Sequence, residues 1–163
     1  MIALADVQSF CATARAATTS AILFNAVQDI TARMGFRHFA LVHHIDVRGP
    51  EGTAVRLVDY PREWVDVFEE RRLYASDPIH RASQKTSIGF LWAHVDRMIS
   101  LTARDRAVLA AARDVGIGEG FTIPAHIPGE VNGSCSFAMG ANDELDTDQL
   151  PLVQLVGNFA FEA

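Results

Sequence analysis

The sequence predicts a mixed α/β domain, a three-layer α-β-α sandwich around an antiparallel and most simply five-stranded sheet. Three observations carry that prediction. Periodicity alternates in the order helix, helix, strand, strand, helices, strand, helix, strand, strand, helix. The strand pairs within 39–60 and 121–139 lie close enough to return as hairpins, whereas a parallel pair needs a crossover of about a dozen residues or more. Finally, 163 residues, 49% of them hydrophobic and 21% charged, suffice for one substantial core, so residues 1–163 are expected to form a single domain.

Each element has a local cause. Residues 3–17 are Ala-rich and helical in pattern, and Thr19 or Ser20 caps a second helix whose apolar positions are Leu23, Ala26, Val27, Ile30 and Met34, with Gly35 as its stop. Phe39 to Ile45 reads as a strand, Arg48-Gly-Pro-Glu-Gly52 as a turn, and Thr53 to Tyr60 as the returning strand. Pro61 suits the first position of a helix through about Arg71, since the N–H it lacks is unpaired there anyway; Trp64 and Phe68 share one face of that helix. Asp77-Pro78 starts a short helix over 78–84, Ser87 to Trp92 is extended, and Thr102 caps a helix that buries Val108, Leu109, Ala112 and Val115 before Gly116. Phe121 to His126 and Ser134 to Met139 are two strands, joined by a loop with Pro128, Gly129, Asn132 and Gly133. An amphipathic helix from about Thr147 is still running at Ala163.

Composition removes several function classes. A net charge of −6 disfavours a phosphate-gripping surface, which needs clustered Lys and Arg. There is no apolar run of membrane-spanning length and no secretory pattern at the start, so the expectation is a cytoplasmic protein without a membrane partner. Cys11 and Cys135 have no metal-ligand spacing and make no disulfide framework; buried free thiols are the plain reading. His43 and His44 point to opposite faces of a strand and cannot share an ion without distortion, so neither they nor His38 and His126 predict a metal.

Tyr60-Pro-Arg-Glu-Trp64, then Phe68, Asp77-Pro78, Trp92 and Gly116-Ile-Gly-Glu-Gly120-Phe-Thr-Ile-Pro124 together resemble the autoinducer-binding domain of LuxR-type quorum-sensing regulators. Any one of these marks is weak, but their order and spacing, over about half the chain, are specific. The resemblance implies an α-β-α sandwich enclosing an N-acyl homoserine lactone between the sheet and one helical layer, with no further cofactor. It implies that Tyr60 donates its hydroxyl to the acyl carbonyl, Trp64 its indole N–H to the lactone carbonyl, and that Asp77 accepts the amide N–H. Ser136 stands where the family often has a Ser or Thr bonding the acyl carbonyl, Trp92 would pack on the lactone ring, Phe68 and Ile79 would line the site, and Pro78 and Gly120 would be structural. Where the family commonly carries a second tyrosine this chain has Phe68, which keeps the ring and loses a hydroxyl; Tyr74 is a possible substitute. It also implies a homodimer through exposed helical faces including the last helix, and DNA binding only through a helix-turn-helix module expected after residue 163.

Independently of that resemblance, the residue inventory suits such a ligand. An acyl lactone is neutral and mostly apolar, and needs a closed apolar chamber with a few orienting groups. An indole N–H only donates, an ionised Asp only accepts, and hydroxyls do either, which complements one amide and two carbonyls. Simpler readings stand beside these: Asp77 as a plain helix cap, Trp64 and Trp92 as core aromatics, Tyr60 as an amphipathic strand-edge residue. Alternation from Tyr60 puts Val58, Arg56 and Ala54 on one face, next to Ala40, Val42 and His44. Arg56 and His44 would either bond a polar substituent on the acyl chain or sit at the sheet edge with their heads in water. No nucleophile elbow, paired carboxylates or metal motif supports catalysis. The alternatives are a GAF- or PAS-type sensor of another small molecule, which shares the sandwich, and more remotely an enzyme acting on acyl lactones.

Overall fold

A computed structural model describes residues 2–43, 56–70, 77–126, 133–140 and 143–162. The elements are α1 (Leu4–Ala16), α2 (Ser20–Arg33), β1 (His38–His43), β2 (Arg56–Val58), α3 (Arg62–Glu70), α4 (Pro78–Ser83), β3 (Phe90–Leu91), a 3-10 helix Trp92–Arg97, α5 (Ala103–Asp114), β4 (Ile117–Ala125), β5 (Gly133–Gly140), a 3-10 turn Thr147–Gln149 and α6 (Leu150–Glu162). The expected turn at 48–52, His44, Tyr74, and Pro128, Gly129 and Asn132 of the second hairpin loop lie outside the described residues.

The strands form one five-stranded antiparallel sheet in the order β2-β1-β5-β4-β3. Residues paired across antiparallel strands share a face, so the register divides the sheet into two chemically different surfaces. One carries Leu57, Leu41, Phe39, Cys135, Phe137, Ile123 and Phe121, which pack with Val7 and Phe10 of α1, Leu23, Val27 and Ile30 of α2, and Val153, Val156 and Ala160 of α6. The other carries Val58, Ala40, Val42, Ser134, Ser136, Ala138 and Thr122. Against it lie α3 with Trp64, α4 with Ile79 and Ala82, and α5 with Val108 and Ala112. The expected sandwich is therefore present, with a bulky apolar interface on one side of the sheet and a floor of small and hydroxylated side chains on the other.

Helix boundaries follow their caps. Thr19 accepts the Ile22 N–H at 3.2 Å, and Thr102 and Asp105 form a reciprocal capping box at α5. Gly35 (φ +89°) and Gly116 (φ +92°) turn the chain out of α2 and α5 in the left-handed region that side chains resist. Three expectations need correction. β4 begins at Ile117, four residues before Phe121, because the glycine-rich Gly116–Gly120 stretch enters the sheet through a bulge between Ile117 and Gly120. Trp92 opens a 3-10 helix, where an extended residue was expected, and Tyr60 sits in a bend beyond β2, where strand alternation no longer dictates its direction.

Candidate ligand-binding site

The small-residue face of the sheet carries three buried hydroxyl side chains, Thr122, Ser134 and Ser136. Thr122 of β4 and Ser136 of β5 are directly paired, and their hydroxyls lie 2.7 Å apart in the sheet centre, Thr122 wholly buried and Ser136 nearly so. Trp92 Nε1 donates to Thr122 Oγ1 at 2.8 Å. At the other end Ser136 hydrogen-bonds the Tyr60 hydroxyl. An indole N–H can only donate and each hydroxyl has one proton to give. A consistent arrangement therefore runs Trp92 to Thr122 to Ser136 to Tyr60, leaving the Tyr60 O–H as a donor at the open end. Burial, followed by the nearby Asp77 carboxylate, pushes the Tyr60 phenol well above its ordinary range, so this proton stays on the ring. The ring is held edge-on by His38, with centroids 6.0 Å apart at 89°.

Asp77 reaches the same place from α4. As N-cap it accepts the His80 N–H at 3.2 Å, with Pro78 occupying the first turn. Burial raises its carboxyl to about pH 6, against the pull of the His80 and Ile79 backbone N–H groups and of the Arg81 charge, while Asp105 pushes it further up. It is still mostly ionised at neutral pH, an acceptor in a poorly solvated place with lone pairs beyond those the cap uses. Trp64 is buried among Val108, Ala112, Ile117 and Ala138, beside Tyr60 and Trp92. Tyr60, Trp64, Trp92 and Ser136 thus line one region with Asp77 acting on it. Capping by Asp77 and packing by the tryptophans coexist with that convergence.

Ala40 pairs with Val58 and Ser136, and Val42 with Arg56 and Ser134, on the floor of the site. Ile79 packs with Ala82, Phe90 and Val95 at its flank. Gly120 lies against the Trp92 indole: a Cβ there would meet Trp92 Cδ2 at 2.4 Å, which gives the glycine its structural reason. The side chains of Arg56 and Phe68, like His44, lie outside the described residues. Sequence reasoning missed Thr122, an ordinary strand threonine whose place beside Ser136 appears only in the register of β4 and β5.

Among the described residues no three His, Cys, Asp or Glu side chains cluster as a metal site, and no helix is long and apolar enough to cross a membrane. Cys135 is buried and burial raises its thiol further, whereas Cys11 is only partly buried. On the opposite side of the molecule an apolar groove of about 430 Å³ lies between α1 and α6, lined by Leu4, Val7, Cys11, Ala12, Leu155 and Phe159 among others.

Comparison with known proteins shows the fold and the family. The transcriptional activator AhyR of Aeromonas hydrophila is 28% identical over 138 residues, covering 82% of this chain and 52% of its own length; the chain spans about half the length of the curated relatives it matches first. Among solved structures, Escherichia coli SdiA superposes with a TM-score of 0.77 at 17% identity, over 98% of this chain and 66% of its own. CepR2 of Burkholderia cenocepacia, described as an N-acylhomoserine lactone dependent LuxR family transcription factor, gives 0.73 at 18% identity, over 94% and 87%. The family model described as "Autoinducer binding domain" matches residues 19–163, nearly the whole chain, and the chain belongs to that LuxR-type family of signal-receiving domains.

Proposed function

We propose that this domain encloses an N-acyl homoserine lactone without transforming it, and that binding governs folding, dimerisation and DNA binding of a cytoplasmic regulator whose DNA-binding module is a separate domain. The observation that carries the reading is the convergence of a terminal Tyr60 O–H, an ionised but poorly solvated Asp77 and the Trp64 indole over a floor of Ala40, Val42, Ser136 and Thr122. Small floor residues suit an acyl amide lying over them, and the three polar groups complement its N–H and two carbonyls. In this reading Asp77 takes the amide N–H, Tyr60 with Ser136 holds the acyl carbonyl, Trp64 donates to the lactone carbonyl, and Trp92 packs on the ring. CepR2, with the same fold, is named for dependence on this ligand class. The α1–α6 groove, with Leu4 and Leu155 exposed at its rim, is the apolar surface that supports self-association.

Thermal melting against acyl lactones of varied chain length, with light scattering and mass spectrometry on the same samples, tests this. The expected result is a higher melting temperature with at least one lactone, loss of most of that gain in Asp77→Ala, a dimer in solution, and ligand recovered intact. No gain with any lactone overturns the ligand assignment. Ring-opened product makes the protein an enzyme, and a gain only with molecules lacking an amide points to another kind of sensor.

A further inference from the structure

Tyr60 lies in a bend between β2 and α3, where no regular element aims its side chain. Its sequence neighbours are tied down instead. The Asp59 N–H donates to Phe39 O at 2.8 Å, one step beyond the last β1–β2 pair, and Asp59 Oδ2 accepts from Gln28 Nε2 of α2 at 3.2 Å. The Asp59 carbonyl lies 3.1 Å from His38 Nδ1. A carbonyl oxygen only accepts, so Nδ1 carries the proton and donates it. After Tyr60, Pro61 disfavours helical backbone at the residue it follows, and its carbonyl accepts the Trp64 and Val65 N–H groups at 3.0 and 3.2 Å as α3 begins.

His38 acts on the tyrosine ring as well as on the backbone before it. It pairs with Ala138 of β5 and shares the sheet face of Ala40 and Ser136, so its half-buried side chain rises on the side of the site. The imidazole meets the Tyr60 ring with centroids 6.0 Å apart at 89°, the edge-to-face geometry that aromatic pairs favour. One side chain thus holds both the carbonyl in front of Tyr60 and the phenol ring. Asparagine in its place would supply only the donor, and phenylalanine only the ring.

We propose that His38 is the positioning residue of Tyr60, fixing the direction from which the phenol hydroxyl meets a bound ligand. This deepens the proposed function and rests on it for the identity of that ligand, an N-acyl homoserine lactone whose acyl carbonyl accepts from Tyr60. Through Asp59 and Gln28 the same hold reaches α2, in the layer on the other side of the sheet.

The test uses the 163-residue chain and N-acyl homoserine lactones from butanoyl to dodecanoyl. In the free chain, at a pH where the ring is neutral, nitrogen-15 NMR should find the His38 proton on Nδ1. The Tyr60 amide shares a peptide plane with the Asp59 carbonyl; its resonance should shift in His38→Phe and return most of the way in His38→Asn, which keeps the donor. For the tightest lactone, His38→Phe should lower affinity about three- to tenfold, the scale of one lost hydrogen bond, and His38→Asn should lower it less. In a Tyr60→Phe background, which has no hydroxyl to aim, His38→Phe should cost less than about twofold more. An equal loss in both backgrounds means that His38 serves the fold alone and overturns the proposal, as does an unmoved Tyr60 amide or a proton on Nε2. The expected tautomer and amide shifts in a chain that binds no lactone of the series sink the ligand reading and leave the hold of His38 on the Tyr60 segment standing.

Discussion

A carboxyl group with a folded midpoint near pH 6 and an ordinary value of 3.8 works against the fold that contains it. The sign follows from linkage. Because the folded value is the raised one, the stability tied to protonation is full below about pH 4 and is lost as pH climbs through 6, so at neutral pH the ionised group is a net cost. Asp77→Asn removes that cost and keeps the cap, since Asn caps as well as Asp. Urea unfolding of the ligand-free chain should therefore find Asp77→Asn more stable than wild type at neutral pH, by about 1–3 kcal/mol, with the difference shrinking toward pH 4. Its lactone-dependent stabilisation should fall sharply with loss of the charge-assisted bond. A variant less stable at neutral pH would mean that ionised Asp77 serves the fold itself. Asp77, Tyr60 and the two tryptophans entered the candidate site through the order and spacing of the motifs that resemble the family, since each alone also reads as a cap or a packing residue. Thr122 was not legible, because a threonine in a strand is ordinary and its meaning depends on Ser136, in the next strand, and on Trp92 across the layer.

Elements were legible where a single residue ends or begins them. Thr19, Asp77, Thr102, Gly35 and Gly116 mark their helix boundaries through hydrogen bonds or backbone angles that depend on close sequence neighbours. β4 was under-read because glycine is a poor strand former and its presence there answers to something distant. That something is Trp92: at Gly120 the three atoms nearest an added Cβ all belong to its indole, at 2.4 to 2.6 Å. Gly120→Ala therefore has to displace the ring, and the ring carries the first hydrogen bond of the chain ending at Tyr60. The expected outcome is a destabilisation of about 1–3 kcal/mol, typical of overpacking, accompanied by a shifted Trp92 indole N–H resonance and weaker lactone binding. An unchanged indole resonance would show that β4 moves instead of the tryptophan.

At the scale of the whole molecule the hairpins β1–β2 and β4–β5 could be read locally, but the β1–β5 pairing that joins them brings together residues such as Phe39 and Phe137, and no local pattern specifies it. What that pairing creates is an asymmetric sandwich. On the α1, α2, α6 side the described residues form one continuous apolar core reaching across every strand of the sheet. On the α3, α4, α5 side they form two smaller clusters, around Trp64 and around Ile79, bridged by Trp92 and floored by Ser136, Thr122 and Ala40. A ligand held over that small-residue floor adds burial only in the folded state, and a layer that gains burial from a ligand opens more easily without it. At a hundredfold excess over Kd that linkage is worth about 2.7 kcal/mol. Native-state hydrogen exchange should therefore show α3 and α4 amides exchanging well before those of β5 and α6 in the free chain. Saturating lactone should slow exchange most in α3 and α4 and raise the slowest β5 amides only by the global gain. Uniform slowing across both layers would mean that the ligand stabilises a sandwich already equally firm on its two sides, and the control of folding by signal would have to act elsewhere.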